Sequence, residues 1–381
     1  GALGNDSSSD VVVPVQIATG VKSVSAGFLH SMYVTTDGKL YGMGDGSSGQ
    51  LGNGMRMDQY SPVLIATGVK EAAAGGSHTL YLKTDKELYG MGNNEHGQLG
   101  VDLGQDTDGN DRTWMSEPVQ IALEVIAISA GHEHSLYVTS DGNAYGMGSN
   151  EYGQMGDGTT TDVTTPFHIA YNTKTVSAGY YFSLNLGTNA GTLSGSGYNQ
   201  LGQLGTGSAV NQLYLNVFDS DVVAVSAGGH QTLYLKSDGT LYGTGFNEDG
   251  ELGIGTTGNV FTPVKIALDV VAVEAGGTFS LFLTDRISPY APTNERGAKW
   301  CDLGWIDDTY YPWVYNYDLN NWYYVYSVLA ADVDEGYWIA YYTSDCSDYG
   351  WGYVYPTTGW WCFARDMSAV WLNFGEPLPA Q

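Results

Sequence analysis

The chain has 381 residues, 43% of them hydrophobic, enough for one large core and a smaller one. Its 14 Lys+Arg stand against 41 Asp+Glu for a net charge of −27, a field that repels phosphate backbones and anionic lipid headgroups and so argues against nucleic acid as a partner. No run reaches the roughly 18 apolar residues of a membrane span, and 53 glycines and 29 tyrosines with only 14% charged residues point to turn-dense β structure without long helices.

The chain opens on Gly1-Ala2-Leu3-Gly4-Asn5-Asp6, which aligns with Gly49-Gln50-Leu51-Gly52-Asn53-Gly54; the step from Gly1 to Pro14 is 13, as from Gly49 to Pro62. It therefore starts inside a repeat, with no basic-then-apolar leader, and reads as a soluble chain from which any signal peptide has been removed. Strong acidity, few lysines and the polar run Asn5-Asp6-Ser7-Ser8-Ser9 favour an extracellular or cell-surface location.

From there an Ala-Gly step recurs at Ala26, Ala74, Ala130, Ala178, Ala227 and Ala275, at spacings of 48, 56, 48, 49 and 48. Each step is followed by an alternating strand such as His30-Ser31-Met32-Tyr33-Val34. A hairpin dipeptide comes next, Asp37-Gly38, Asp141-Gly142 or Asp238-Gly239, with Asp85-Lys86 as a weaker copy. A strand like Leu40-Tyr41-Gly42-Met43-Gly44, the block Gly49-Gln50-Leu51-Gly52 and a proline-led strand, Pro62-Val63-Leu64-Ile65, complete the unit. Four short strands per unit fit a β-propeller blade, because one blade cannot bury both its faces and needs a neighbour on each side. The fold class is therefore all-β, a propeller of about six four-stranded blades with room for a seventh. Six proline-type strands are expected if Leu213-Tyr214-Leu215 serves as the fourth, but only five Leu-Tyr-Gly strands. One blade is thus expected to keep an unpaired edge.

The pattern of AGxxHS, DGxLYxxGxNxxGQLG and PVxI resembles the regulator of chromosome condensation repeat family over residues 1–285. It departs by carrying Tyr41-Gly42-Met43 or Tyr242-Gly243-Thr244 where that family often has a tryptophan. The resemblance implies the propeller more strongly than a function. The family's founding member is a nuclear nucleotide-exchange factor that docks on chromatin, which the acidity here disfavours. A secreted bacterial β-lactamase inhibitor of similar repeat type is the nearer analogy.

His30, His78 and His134 recur at one place in their repeats, where the other copies have Phe182, Gln231 and Phe279, and are read as structural hydrogen-bonding groups. Gly44-Asp45-Gly46-Ser47-Ser48-Gly49 matches a dinucleotide-binding string only literally, since no helix follows it. The long spacing places an eight-residue insertion between Gly97 and Pro118, a gap of 21 where 13 is usual. Its Asp106, Asp108 and Asn110, with Glu117 at the twelfth place of a loop counted from Asp106, offer alternate oxygen ligands suited to calcium. A solvated acidic turn is the preferred reading of the same residues, and no other cofactor is indicated.

Residues 286–299, with Pro289 and Pro292, read as a linker. Residues 300–381 hold nine of the ten tryptophans, spaced for about six short antiparallel strands in a meander. Rings serving as the core of so small a domain are the plainer reading. Trp351, Trp360 and Trp361 are candidate glycan or partner contacts, because so many rings can hardly all be hidden. Cys301, Cys346 and Cys362 allow one disulfide and one free thiol. Asp307-Asp308 and Asp332-Val333-Asp334-Glu335 are clustered acids outside the insertion, so a glycan hydrolase is a minor alternative.

The sequence thus reads as a non-enzymatic extracellular structural or assembly protein that self-associates, through strand complementation, into a homo-oligomer or fibre. Its alternative is a secreted module that recognises another protein or a glycan.

Overall fold

A computed structural model describes residues 1–105 and 112–284, together with the backbone of strands at 313–316, 321–324, 337–342, 349–354, 361–365 and 368–372. Two compact units emerge, one of Gly1–Leu252, Thr256–Lys265 and Val273–Leu281, the other of Gly253–Gly255, Ile266–Ala272 and Phe282–Gln381. Residues 286–299, expected as a linker, lie outside the described residues.

Each repeat folds as one sheet whose strands lie in chain order. The first is β1 (Val21–Ala26), β2 (His30–Thr35), β3 (Leu40–Gly44) and β4 (Gln59–Ala66); the second is β5 (Val69–Ala74), β6 (His78–Lys83), β7 (Leu88–Asn93) and β8 (Trp114–Ala122). The third is β9 (Val125–Ala130), β10 (His134–Thr139), β11 (Ala144–Gly148) and β12 (Val163–Ala170), and the fourth is β13 (Thr173–Ala178), β14 (Phe182–Gly187), β15 (Leu193–Gly197) and β16 (Gln212–Asp219). The fifth is β17 (Val222–Ala227), β18 (Gln231–Lys236), β19 (Leu241–Gly245) and β20 (Val260–Ala267), and a sixth sheet holds only β21 (Val270–Ala275) and β22 (Ser280–Thr284). Leu213-Tyr214-Leu215 lies in β16 and pairs with β15, as expected. Pro14-Val15-Gln16-Ile17, counted from sequence as a sixth proline-type strand, forms no strand. The reason is pairing: β4, β8, β12 and β16 each lie against a Leu-Tyr-Gly-type strand, and the described residues contain only five of that type.

The burial pattern follows from stacking blades side by side. Five consecutive positions are buried in each of β6, β10, β14 and β18, because both faces of these second strands meet a neighbouring blade. Cores accordingly form between blades: Met32, Val34 and Leu40 pack with Tyr81 and Met91 of the next sheet, and Leu80, Leu82 and Leu88 with Tyr137 and Met147 of the one after. Burying one such leucine contributes about 2 kcal/mol. Cross-strand tyrosines stack at matching positions in four blades, Tyr33 on Tyr41, Tyr81 on Tyr89, Tyr137 on Tyr145 and Tyr234 on Tyr242, with centroids 5.1, 5.2, 5.0 and 5.6 Å apart.

Polar ties run from blade to blade at the Ala-Gly step. Ser25, Ser129, Ser177 and Ser226 each accept a hydrogen bond from the backbone N–H of the next step's alanine, Ala74, Ala178, Ala227 and Ala275, at 2.9 Å. The repeated histidines are buried and bridge blades as well. His30 Nε2 meets Thr79 Oγ1 at 2.8 Å, His78 Nε2 meets Ser135 Oγ at 2.9 Å and His134 Nε2 meets Ser183 Oγ at 3.0 Å. Thr79 and Ser135 spend their single hydroxyl protons on the Gln50 and Gln98 carbonyls, so His30 and His78 must donate from Nε2. The structural role read from sequence is what these rings perform.

The block at Gly49–Gly52 packs on the following blade, its Gly52 against Met91 and Gly49 against the Met115–Ser116 backbone. Gly1 and Gly4 do the same on the first blade, Gly1 against Tyr60 and Gly4 against Met43 and Pro62. This matches the alignment of Gly1-Ala2-Leu3-Gly4 with Gly49-Gln50-Leu51-Gly52.

The second unit contains a six-stranded antiparallel meander of β23 (Trp313–Asn316), β24 (Asn321–Tyr324), β25 (Tyr337–Tyr342), β26 (Tyr349–Val354), β27 (Trp361–Arg365) and β28 (Ser368–Leu372), in chain order. Six strands in a meander is the expected pattern.

Candidate functional site

In each of the five four-stranded blades the turn after the Ala-Gly step and the loop after the Leu-Tyr-Gly-type strand emerge on the same face, because His30 pairs with Gly44 and its counterparts do likewise. Backbone bonds lock the two segments together: Asp45 N–H to Leu29 O, Asn93 to Ser77, Ser149 to Glu133, Tyr198 to Tyr181 and Phe246 to His230, all at 2.8–2.9 Å. The loops are stiffened from within. Asn150 donates from Nδ2 to the Thr159 and Thr161 carbonyls and accepts the Met155 N–H, and Asn199 does the same with Ser208, Val210 and Leu204.

On that framework the two residues that follow the glycine of each Ala-Gly step differ from repeat to repeat. They read Phe28-Leu29, Gly76-Ser77, His132-Glu133, Tyr180-Tyr181, Gly229-His230 and Gly277-Thr278. Across blades three to five they join Tyr152 and Tyr198 of the loops in a circuit of six rings. His132 to Tyr181 is 5.5 Å between centroids, Tyr181 to Tyr152 5.3 Å, Tyr152 to Tyr198 5.1 Å, Tyr198 to His230 5.8 Å, His230 to Tyr180 5.4 Å and Tyr180 to His132 5.7 Å. Glycines let the turns pack beside the rings: a Cβ on Gly229 would stand 2.5 Å from the Gly277 carbonyl oxygen and 3.1 Å from the Tyr180 ring, and one on Gly277 2.8 Å from the Tyr180 hydroxyl.

Carboxylates surround the rings. Glu133 Oε2 lies 3.7 Å from His96 Nε2 and its Oε1 lies 3.8 Å from His132 Nδ1, while His96 Nδ1 bonds Asp162 Oδ2 at 2.7 Å. Burial lowers His96, but its bond to Asp162 and the Glu133 charge carry it above the ordinary histidine value. Burial first, then Glu133 and its neighbours, raises the Tyr181 hydroxyl, and burial with Glu151 raises that of Tyr152. No nucleophile, base and orienting acid are assembled here. What the arrangement offers is a half-buried aromatic surface rimmed by negative charge.

The chain belongs to the RCC1-like domain family. The family's model matches residues 1–282. The RCC1-like chain is 30% identical over 239 residues to the ultraviolet-B receptor UVR8 of Arabidopsis thaliana, covering 60% of this chain and 54% of that protein. It is 36% identical over 88 residues to an RCC2 homologue of Danio rerio, covering 22% and 18%. It thus spans about half the length of the first of these relatives and under a fifth of the second. Among solved structures it resembles Prp20p of Saccharomyces cerevisiae, a protein described with its binding to Gsp1p and histones, at 22% identity and a TM-score of 0.59 over 70% of this chain and 69% of that one. It resembles human WBSCR16 at 23% identity and a TM-score of 0.61, over 70% and 73%. These likenesses show the propeller fold.

The residues singled out from sequence are scattered. Asp106, Asp108 and Asn110 lie outside the described residues, while Glu117 is exposed within β8, its carboxylate beside Gly54. Trp351 and Trp361 sit in β26 and β27, paired with Ala364 and Val354 respectively. Those positions fall on opposite faces of an alternating sheet. Trp360, Asp307, Asp308, Asp332, Asp334 and Glu335 lie outside the described residues, as do Cys301 and Cys346. No helix among the described residues is long and apolar enough to cross a membrane. In the sequence the aromatic circuit shows only as variation between copies: the pair after the Ala-Gly step is His132-Glu133, Tyr180-Tyr181 and Gly229-His230 in repeats three to five.

Proposed function

We propose that this protein is a non-catalytic binding module that docks a protein partner on the turn face of its propeller. The observation that carries the reading is the six-ring circuit with its carboxylate rim, held by rigid loops and built from positions that differ from repeat to repeat. Aromatic rings on a stiff scaffold are the usual anchors of protein interfaces. The relatives support it in kind, since Prp20p is described with Gsp1p and histones and its complex with Kap60 is solved. On composition we place the module outside the cell. A photoreactive phenylalanine analogue at Tyr152 should cross-link one discrete protein species on intact source cells, whereas the same group at exposed Thr36, on the hairpin side of blade one, should not. Equal cross-linking from both positions would remove the reading.

Self-association is a second reading, carried by the sixth sheet. Among the described residues β22 has no partner beyond β21, and Leu281 and Leu283 on it are 60% and 50% exposed. Such an edge invites strand addition by a second copy and, with no closing rotation, a fibre. Light scattering should show mass rising with concentration, and Leu283→Pro should abolish the rise. A constant monomer mass at high concentration would refute it.

A further inference from the structure

We propose that the aromatic circuit on blades three to five is a docking site for a guanidinium group, the side chain of an arginine presented by the partner. The inference rests on the binding-module reading and names the chemistry its face selects. Tyr152, Tyr181 and Tyr198 lie with centroids 5.1–6.5 Å apart and are only half-buried, so their rings offer faces as well as edges. The negative faces of tyrosine rings attract a cation, and a planar guanidinium stacks on them with little loss of hydration. The chain shows the same preference internally, with Arg56 Cζ 4.2 Å over the Trp114 ring.

The rim supplies the counter-charge. Glu133 and Glu151 stand close enough to the Tyr152 and Tyr181 hydroxyls to oppose their ionisation. No lysine or arginine among the described residues pairs with either glutamate, and the neighbours of Glu133 are His96 and His132, at 3.7 and 3.8 Å. An arriving arginine would therefore meet carboxylates still without a permanent cation, and could take one of them through two parallel N–H···O bonds. A neutral side chain of the same shape would stack but leave the charge unanswered. An anion would be repelled by the rim and by the net charge of −27.

The probe is N-acetyl-arginine methylamide, followed by saturation-transfer NMR on the full chain, with the neutral citrulline analogue as its isostere. Saturable binding of the arginine compound is expected, with at least tenfold weaker binding of the citrulline one. Tyr181→Leu should weaken binding about tenfold and Tyr181→Phe should preserve it, because the ring face and not the hydroxyl is the contact. Glu133→Gln should weaken it about fivefold, while Glu71→Gln, which removes the same charge from β5, should not. Equal binding of both compounds, an unaltered Tyr181→Leu variant with a native melting curve, or equal losses from Glu133→Gln and Glu71→Gln would each overturn the proposal. If cross-linking from Tyr152 still captures a partner while the arginine probe fails, the binding module stands and only its ligand chemistry falls.

Discussion

Between pH 6.5 and pH 4 the propeller is expected to lose most of its stability, and three buried histidines should account for the loss. His30, His78 and His134 are at most 1% exposed. Burial is the main cause that lowers them, His30 and His134 to about 4 and His78 to about 3, with the charges of His134, His30 and His132 adding to the effect on His78. Asp45 pulls His30 the other way without overcoming burial. The bonding explains why protonation is resisted. Nε2 of His30 and His78 already carries the proton it gives to a hydroxyl, and the Nδ1 atoms of all three rings are buried with no acceptor. The unfolded chain takes up these protons near the ordinary value of 6.5 and the folded chain does not, so stability falls as pH drops from 6.5 toward 4. Each ring contributes on the order of 3 kcal/mol across that window, and three together reach a large share of a domain's usual ~5–15 kcal/mol. Asp45 and Asp219 are held below the ordinary carboxylate value by their hydrogen bonds, which outweigh burial. Their stability is lost only lower still. Urea midpoints at pH 7, 6, 5 and 4 should show the fall in the wild type. Replacing all three rings by glutamine should flatten it, since Gln231 holds this place in blade five by donating to the Gly276 and Phe279 carbonyls. An equally steep fall in the triple variant would assign the acid sensitivity to other groups.

The propeller was legible in the sequence because its repeats fix strand order, turn chemistry and the buried face together, and every copy says the same thing. The hairpin at Asp85-Lys86 was read as a weaker copy, and Lys86 does take the left-handed conformation, φ 70°, that glycine supplies at Gly38 and Gly142. What repetition could not show was the role of the residues that differ between copies. His132, Tyr180 and His230 are separated by 48 and 50 positions and become neighbours only through the rotation from one blade to the next. In the sequence the odd insertion and the tryptophan-rich end stand out, because composition changes abruptly there. The circuit instead uses ordinary residues at ordinary repeat positions. The sixth proline-type strand expected from sequence does not form, for a related reason. Pro14-Val15-Gln16-Ile17 has the right residues, but a strand is a pairing, and the five Leu-Tyr-Gly-type strands among the described residues are already paired in the sheets of β4, β8, β12, β16 and β20.

The glycine of the Ala-Gly step is expected to tolerate no side chain, and Gly131→Ala should be strongly destabilising. A Cβ there would lie 2.4 Å from His134 Cε1, 2.6 Å from its Nδ1 and 2.5 Å from the Gly179 carbonyl oxygen of the next blade. The backbone at Gly131 is not in the left-handed region, so the cost is collision and not conformational strain. Neither neighbour can yield cheaply. The His134 ring is fixed by Ser183, and the Gly179 carbonyl belongs to the inner ring of steps, where Gly76 N–H donates to Gly131 O at 3.1 Å, His132 to Tyr180 O at 3.3 Å and Tyr180 to Gly229 O at 3.3 Å. Overpacking at a site braced on two sides costs about 3 kcal/mol, which for a domain of this size lowers the melting temperature by roughly 6–12 °C. Gly68→Ala separates the two causes: its φ is +70° but nothing lies within 4 Å of the added carbon, so it should cost only about 1 kcal/mol. In the double variant Gly131→Ala/His134→Ala the ring clash disappears and the carbonyl clash remains. Its melting temperature should therefore fall short of that of His134→Ala alone, by less than the Gly131→Ala loss in the wild type. Equal melting temperatures for Gly131→Ala and Gly68→Ala would mean that neighbouring blades can slide apart at the step, and that the inner ring of backbone bonds does not hold them in register.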